Sequence, residues 1–174
     1  MSSDEVTREV KRLLNSYSIL KPPVPVDKIA ERLGLELMLM ELDADMSGAL
    51  IRSDDGETVM IAVNETHSRV RRRFTVAHEI AHYVLGHLTD EPHIDREFTA
   101  IHRNEVSSQA TDPREIKANT FAASLLMPED FLLKDFVKSG GFDGLALSQM
   151  ALRYQVSEQA LKYRLANLGL LPPF

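Results

Sequence analysis

Apolar positions along this chain recur with two periods, and the change from one to the other marks its elements. Over residues 4–16, Val6, Val10, Leu13 and Leu14 share one face of a helix. Residues 21–25, Lys-Pro-Pro-Val-Pro, make a rigid extended connector. A short helix follows over 27–33, with Ile29, Ala30 and Leu33 apolar and Gly34 ending it. Residues 35–42, 47–52 and 58–63 read as strands, the last two joined through hairpin chemistry at 53–57. A small antiparallel sheet is therefore expected ahead of a long helix. That helix has several N-cap candidates at 64–68 and a C-terminal stop at Gly86. Val70, Phe74, Ala77, Ala81 and Val84 form its apolar stripe.

The same helix carries His78-Glu79-Ile80-Ala81-His82. Residues four apart lie one turn apart on one face, so two imidazoles can hold one zinc ion at about 2.0–2.1 Å each. Glu79 lies between them and is free to act as a base on water activated by the metal. At 100° per residue from Val70, Val84 to Leu85 span roughly −40° to +60°, with His78 near 80°, His82 near 120° and Glu79 near 180°. The histidines are thus expected beside the buried stripe, at the edge of a cleft and half sheltered. Two ligands are too few for catalytic zinc. The chain has no cysteine, which leaves histidine and carboxylate as the strong donors and excludes disulfides.

A basic cluster, Arg69, Arg71, Arg72 and Arg73, opens the helix. It sits at the wrong end of the helix dipole, so local stability does not explain it. It could meet an acidic substrate or nucleic acid; a solvated face pairing with carboxylates is the more ordinary reading.

Residues 88–111 are polar and read as a long loop or weak hairpin, with His93 and His102 on it. These, His67 and His87 are more often surface histidines than ligands, and His87 is the hardest to dismiss. The next stretch, 112–128, starts with Asp112 as N-cap and Pro113 at the first helical position, and Pro128 closes it. Glu115, Asn119, Ala122 and Leu126 share a face, and Ala118 and Ala122 allow a close helix partner. Glu115 is placed either to complete a metal site or to close a capping box with Asp112. Spacing alone leaves both open.

A helix over 128–139 is stopped at Gly140-Gly141. Two amphipathic helices then meet at Gln155-Val156-Ser157, a helix-turn-helix-like pattern. Ser157 is the second N-cap, and Gln159, Lys162 and Tyr163 are expected on its exposed side. Residues 144–174 carry Arg153, Lys162 and Arg164 against Glu158, net +2. That gives little phosphate neutralisation, so packing on the catalytic part or holding a partner is preferred over DNA binding. The division expected is 1–139 for the catalytic part and 140–174 for the helical segment.

The 174 residues suit one compact domain with a small appendage. A net charge of −6 argues against nucleic-acid binding by bulk charge. The N-terminus lacks the basic start and apolar run of a signal peptide, and no apolar stretch is long enough to span a membrane. The cytoplasm is the expected compartment.

Taken together, His78-Glu79-x-x-His82 and Glu115-x-x-Ala118-Asn119-x-Phe121-Ala122-x-x-Leu125-Leu126-Met127-Pro128 resemble the ImmA/IrrE family of zinc metallo-endopeptidases. So do Val24-Pro25-Val26-Asp27-x-Ile29-Ala30-x-x-Leu33-Gly34, Ser47-Gly48-Ala49-Leu50-Ile51 and Arg73-Phe74-Thr75-x-Ala77. The resemblance implies an α+β, zincin-like fold of the thermolysin-related type. It implies zinc held by His78, His82 and Glu115, with Glu79 as catalytic base. Some members carry a second carboxylate where this chain has Lys117, and an ammonium is a poor ligand, which favours Glu115. It further implies a protein substrate, a helix-turn-helix transcriptional repressor whose cleavage or inactivation relieves repression. The alternative is a regulatory, DNA-binding or toxin–antitoxin component that sequesters its partner uncut. Tyr83, His87, His102 and Asn119 are candidates for stabilising an oxyanion.

Overall fold

Two helices open the chain, α1 (Ser3–Ser16) and α2 (Val26–Arg32), followed by strands β1 (Leu35–Met40), β2 (Gly48–Arg52) and β3 (Val59–Asn64). The long helix α3 (Arg69–Val84) precedes a short strand β4 (His93–Asp95). Helices α4 (Pro113–Leu126), α5 (Glu129–Ser139), α6 (Gly144–Tyr154) and α7 (Glu158–Asn167) complete an α+β fold. The computed structural model describes residues 3–53, 56–88, 93–95, 112–139 and 144–172, without the side chains of 3, 4, 93–95 and 139. The expected stop at Gly140-Gly141, and the 88–111 loop apart from its first residue, Leu88, and the backbone of β4, lie outside them.

The four strands form one sheet in the order β1-β3-β2-β4. The expected hairpin is present: β2 pairs antiparallel with β3, Leu50 opposite Ile61, and Ser53 N–H donates to Thr58 O at 2.8 Å. The sheet as a whole is mixed, which corrects the antiparallel expectation. β1 runs parallel to β3, Leu37 opposite Ile61. The cause lies at the end of β3. Glu65 N–H donates to Met40 O, and Asn64 N–H to Ser47 O, each at 3.0 Å. The buried Asn64 amide also donates to the carbonyls of Leu42, Asp43 and Met46 at 3.3, 3.2 and 2.9 Å, while its Oδ1 accepts from the Thr66 hydroxyl at 2.8 Å. One side chain thus gathers the 42–46 turn, so the chain leaves β1, passes the end of β3 and enters β2 on the far side. Leu35-Glu36-Leu37-Met38-Leu39-Met40 lacks polar alternation, so its pattern carries no pairing direction.

Helix α3 lies on β2 and β3, with α2 beside it and α4 along it. Close approach to the sheet depends on Gly48, where an added Cβ would stand 2.5 Å from Thr75 Cγ2 and 2.6 Å from the Ala62 carbonyl oxygen. A backbone oxygen cannot rotate away. Gly48→Ala is therefore expected to cost about 2–3 kcal/mol by overpacking, read from the midpoint of denaturant unfolding. On the other side, Ala118 and Ala122, both fully buried, let α4 close against α3.

Helices α6 and α7 share the same apolar core. Leu147, Met150, Ala151, Tyr154, Leu161 and Leu165 join the buried cluster that contains Ile61, Ile80 and Leu125. The Tyr154 hydroxyl donates to Asp135 Oδ2 at 2.8 Å, and Arg164 Nε donates to Met127 O at 3.3 Å. Burial first, then the bond to Asp135, pushes the Tyr154 phenol above its ordinary range. Among the described residues no helix is long and apolar enough to cross a membrane.

Candidate metal centre

The helix that carries the two histidines is defined at both ends by local chemistry. Ser68 caps its start, its hydroxyl accepting from Arg71 N–H. At its end Gly86 adopts φ +70°, a left-handed turn that costs glycine little. Gly86 N–H then donates to Tyr83 O at 3.2 Å and His87 N–H to His82 O at 2.8 Å, the paired bonds of a Schellman motif. This turn folds the chain back and sets the His87 ring edge-on to His82, 5.1 Å between centroids.

Residues Arg73 to His82 are all buried. His78 is 2% exposed, His82 1% and Glu79 0%. This corrects the half-sheltered expectation: α4 covers the side of α3 that the sheet leaves open, so the segment from Arg73 to His82 is enclosed. Phe74 stacks on His78 from one turn earlier, 6.3 Å between ring centroids.

Glu115 arrives from the first turn of α4. Asp112 caps that helix, accepting from Arg114 N–H at 2.8 Å with Pro113 in the first turn. The Glu115 carboxylate faces the histidines, Oε2 3.2 Å from His78 Nε2 and Oε1 3.3 Å from His82 Nε2. The two Nε2 atoms are 3.0 Å apart. Burial opposes ionisation of Glu115, but hydrogen bonds and charge from His78 and His82 outweigh it and hold the carboxyl well below the usual carboxylate range.

These separations test the fit of a metal. Two ligands on one tetrahedral zinc at about 2.0–2.1 Å stand roughly 3.3–3.4 Å apart. Here the two Nε2 atoms stand 3.0 Å apart, and each faces a different oxygen of the Glu115 carboxylate, at 3.2 and 3.3 Å, separations close to that edge length. Two imidazoles and one carboxylate are a donor set for zinc, and equally for other divalent first-row metals. Among the described residues these three form the one group of histidine and acidic side chains with such convergence.

The remaining sequence candidates are placed less closely. His87 is partly buried beside His82; burial, then the charges of Arg114 and Lys117, push its imidazole down against the pull of Glu115 and Asp112. Tyr83 and Asn119 are partly buried on α3 and α4. His102 and the side chain of His93 lie outside the described residues.

Two of the four clustered arginines behave differently from a solvated face, while Arg69 is exposed. Arg73 is 8% exposed, and its guanidinium donates to two main-chain carbonyls, Val24 O at 2.9 Å and Gln155 O at 3.3 Å. Arg71 donates to Ser47 Oγ at 3.0 Å. Sequence reasoning missed these roles, and that of Asn64. For Arg73 a signal was present: at roughly −60° on the helical wheel it borders the apolar stripe.

Comparison with known proteins identifies the family. The model of the M78 peptidases, described as the IrrE N-terminal-like domain, matches residues 30–166. The radiation response metalloprotease IrrE of Deinococcus deserti is 35% identical over 113 residues, which is 65% of this chain and 38% of that protein. Its namesake from Deinococcus radiodurans is 32% identical over 118 residues, 68% of this chain and 34% of that protein. The chain thus spans little more than a third of the length of these relatives. A Mycobacterium tuberculosis transcriptional regulator shares the fold with a TM-score of 0.63 at 15% identity, over 94% of this chain and 46% of that one. With the family model covering most of the chain, including all of α3 and α4, this protein belongs to the ImmA/IrrE family of M78 metallopeptidases.

Proposed function

We propose that this chain is a zinc-dependent endopeptidase of zincin-like type. In this reading it acts in the cytoplasm on a protein partner, a helix-turn-helix transcriptional repressor whose cleavage or inactivation relieves repression. Residues 1–139 carry the chemistry, and 140–174 form a helix-turn-helix-like segment seated on them. The observation that carries the reading is the convergence of His78 Nε2, His82 Nε2 and the Glu115 carboxylate within 3.3 Å of one another, with the Glu79 side chain buried on the same helix.

His78 and His82 would hold the ion through Nε2, and Glu115 through its carboxylate. A divalent metal bound there supplies Lewis acidity and brings the pKa of water to about 7. Glu79 takes a proton at its carboxylate as water adds to the peptide carbonyl. It then returns that proton to the departing amine, so one carboxylate serves both halves of the hydrolysis. The burial of α3 keeps competing water away from the carboxylate during the transfer.

The test is incubation of the zinc-loaded protein with a candidate helix-turn-helix repressor, read by intact mass. Cleavage gives two fragments whose summed mass exceeds that of the repressor by one water. A repressor recovered whole, in a stable complex, would replace cleavage by sequestration.

A further inference from the structure

One buried charge takes no part in that chemistry. Arg73 lies five residues before His78 on α3. At 100° per residue it points roughly 140° away from His78, so it acts on the site only through the helix. Its guanidinium joins α3 to two distant segments, the connector at Val24 and the α6–α7 turn at Gln155. Among the described residues no carboxylate stands within ion-pair distance of it, and Asp27 acts on it only at longer range. A buried cation satisfied by neutral carbonyls is a costly way to gain stability, and an apolar side chain would fill the space at less cost. What carbonyl acceptors do supply is direction.

The acceptor is built for this contact. Gln155 occupies the left-handed C-terminal turn of α6 at φ +54°, a position that favours glycine. Gln155 N–H donates to Leu152 O and Val156 N–H to Ala151 O, which fixes where its carbonyl points. That carbonyl accepts from Arg73 Nε, and its side-chain Oε1 accepts from Arg69 Nη2 at 3.5 Å. A non-glycine residue is thus held in a strained conformation with both of its oxygens turned to the first turns of α3.

We propose that Arg73 is a positioning residue of the metal centre: by fixing the first half of α3 to Val24 and to the α6–α7 turn, it sets where His78 and His82 stand relative to Glu115. The C-terminal helical pair is then part of the catalytic unit. This rests on the metal reading above.

The experiment uses the full chain and two probes, zinc titrated against a chromogenic chelator and the visible spectrum of the cobalt-substituted protein. Arg73→Lys keeps the charge and loses the two-pronged donor. Leu132→Ala, in the core at α5, serves as the control for general destabilisation. Arg73→Lys is expected to weaken zinc binding by about tenfold, as loss of a support around a metal site does, and to alter the cobalt bands. Leu132→Ala is expected to lower the melting temperature while leaving zinc affinity within about twofold and the cobalt spectrum unchanged. Wild-type affinity and spectrum in folded Arg73→Lys would overturn the positioning role alone, as would equal losses in the two variants. A wild-type protein that binds no zinc would overturn the metal reading and this role with it. If Arg73→Lys does not fold, Gln155→Pro, which keeps Arg73 but cannot hold the left-handed turn, is measured in its place against the same criteria.

Discussion

Glu79→Gln is expected to keep its zinc and to lose peptide cleavage by about 10³–10⁴-fold, the upper range for removal of a general acid–base group. The substitution preserves shape. Glu79 is fully buried on α3, and an isosteric amide leaves His78, His82 and Glu115 with the same neighbours. What it removes is the capacity to take up a proton. The check is zinc content beside the initial rate of repressor cleavage in both proteins. Full metal with a rate within tenfold of wild type would assign the base elsewhere, with His87 as the first candidate because its ring already meets His82.

The second large effect is expected at Glu115. Glu115→Ala should reduce bound zinc from about one per chain to near zero after dialysis, because two histidines alone make an incomplete site. The competing role, a capping box, predicts a different size of effect. Losing that reciprocal bond would cost about 1 kcal/mol of helix stability and leave the metal in place. Asp112 caps α4 by accepting from Arg114 N–H, while both Glu115 oxygens lie against imidazole nitrogens. Metal analysis of the purified variant beside wild type decides between them, and full zinc in both would return Glu115 to the cap.

How far the molecule could be read in advance follows from the range of each interaction. The histidine pair, the Asp112 cap, the Gly86 stop and the β2–β3 hairpin are set by residues within a few positions of one another, and spacing carried them; for the cap of α3 it gave only the range 64–68. Glu115 needed more. The local pattern left ligand and cap equally open, and only contact between α3 and α4 brings its carboxylate to the histidines. The parallel course of β1 was illegible because it depends on Asn64 gripping carbonyls 18 to 22 residues earlier. The depth of the site was misjudged for a related reason: a helical wheel shows the face one neighbour covers, and α3 has neighbours on both sides. Arg73 was read by its charge instead of its place beside the stripe, so a buried clamp looked like a solvated face. Arg71, bonded to the Ser47 hydroxyl, shows the same error on a smaller scale.

The central claim is that His78, His82 and Glu115 hold one metal ion. Anomalous diffraction at the zinc edge from crystals of the zinc-loaded protein tests it most directly. The expected result is one strong peak at about 2.0–2.2 Å from His78 Nε2, His82 Nε2 and a Glu115 oxygen. A zinc peak bound elsewhere, or at the histidines with the Glu115 carboxylate turned away, would contradict it.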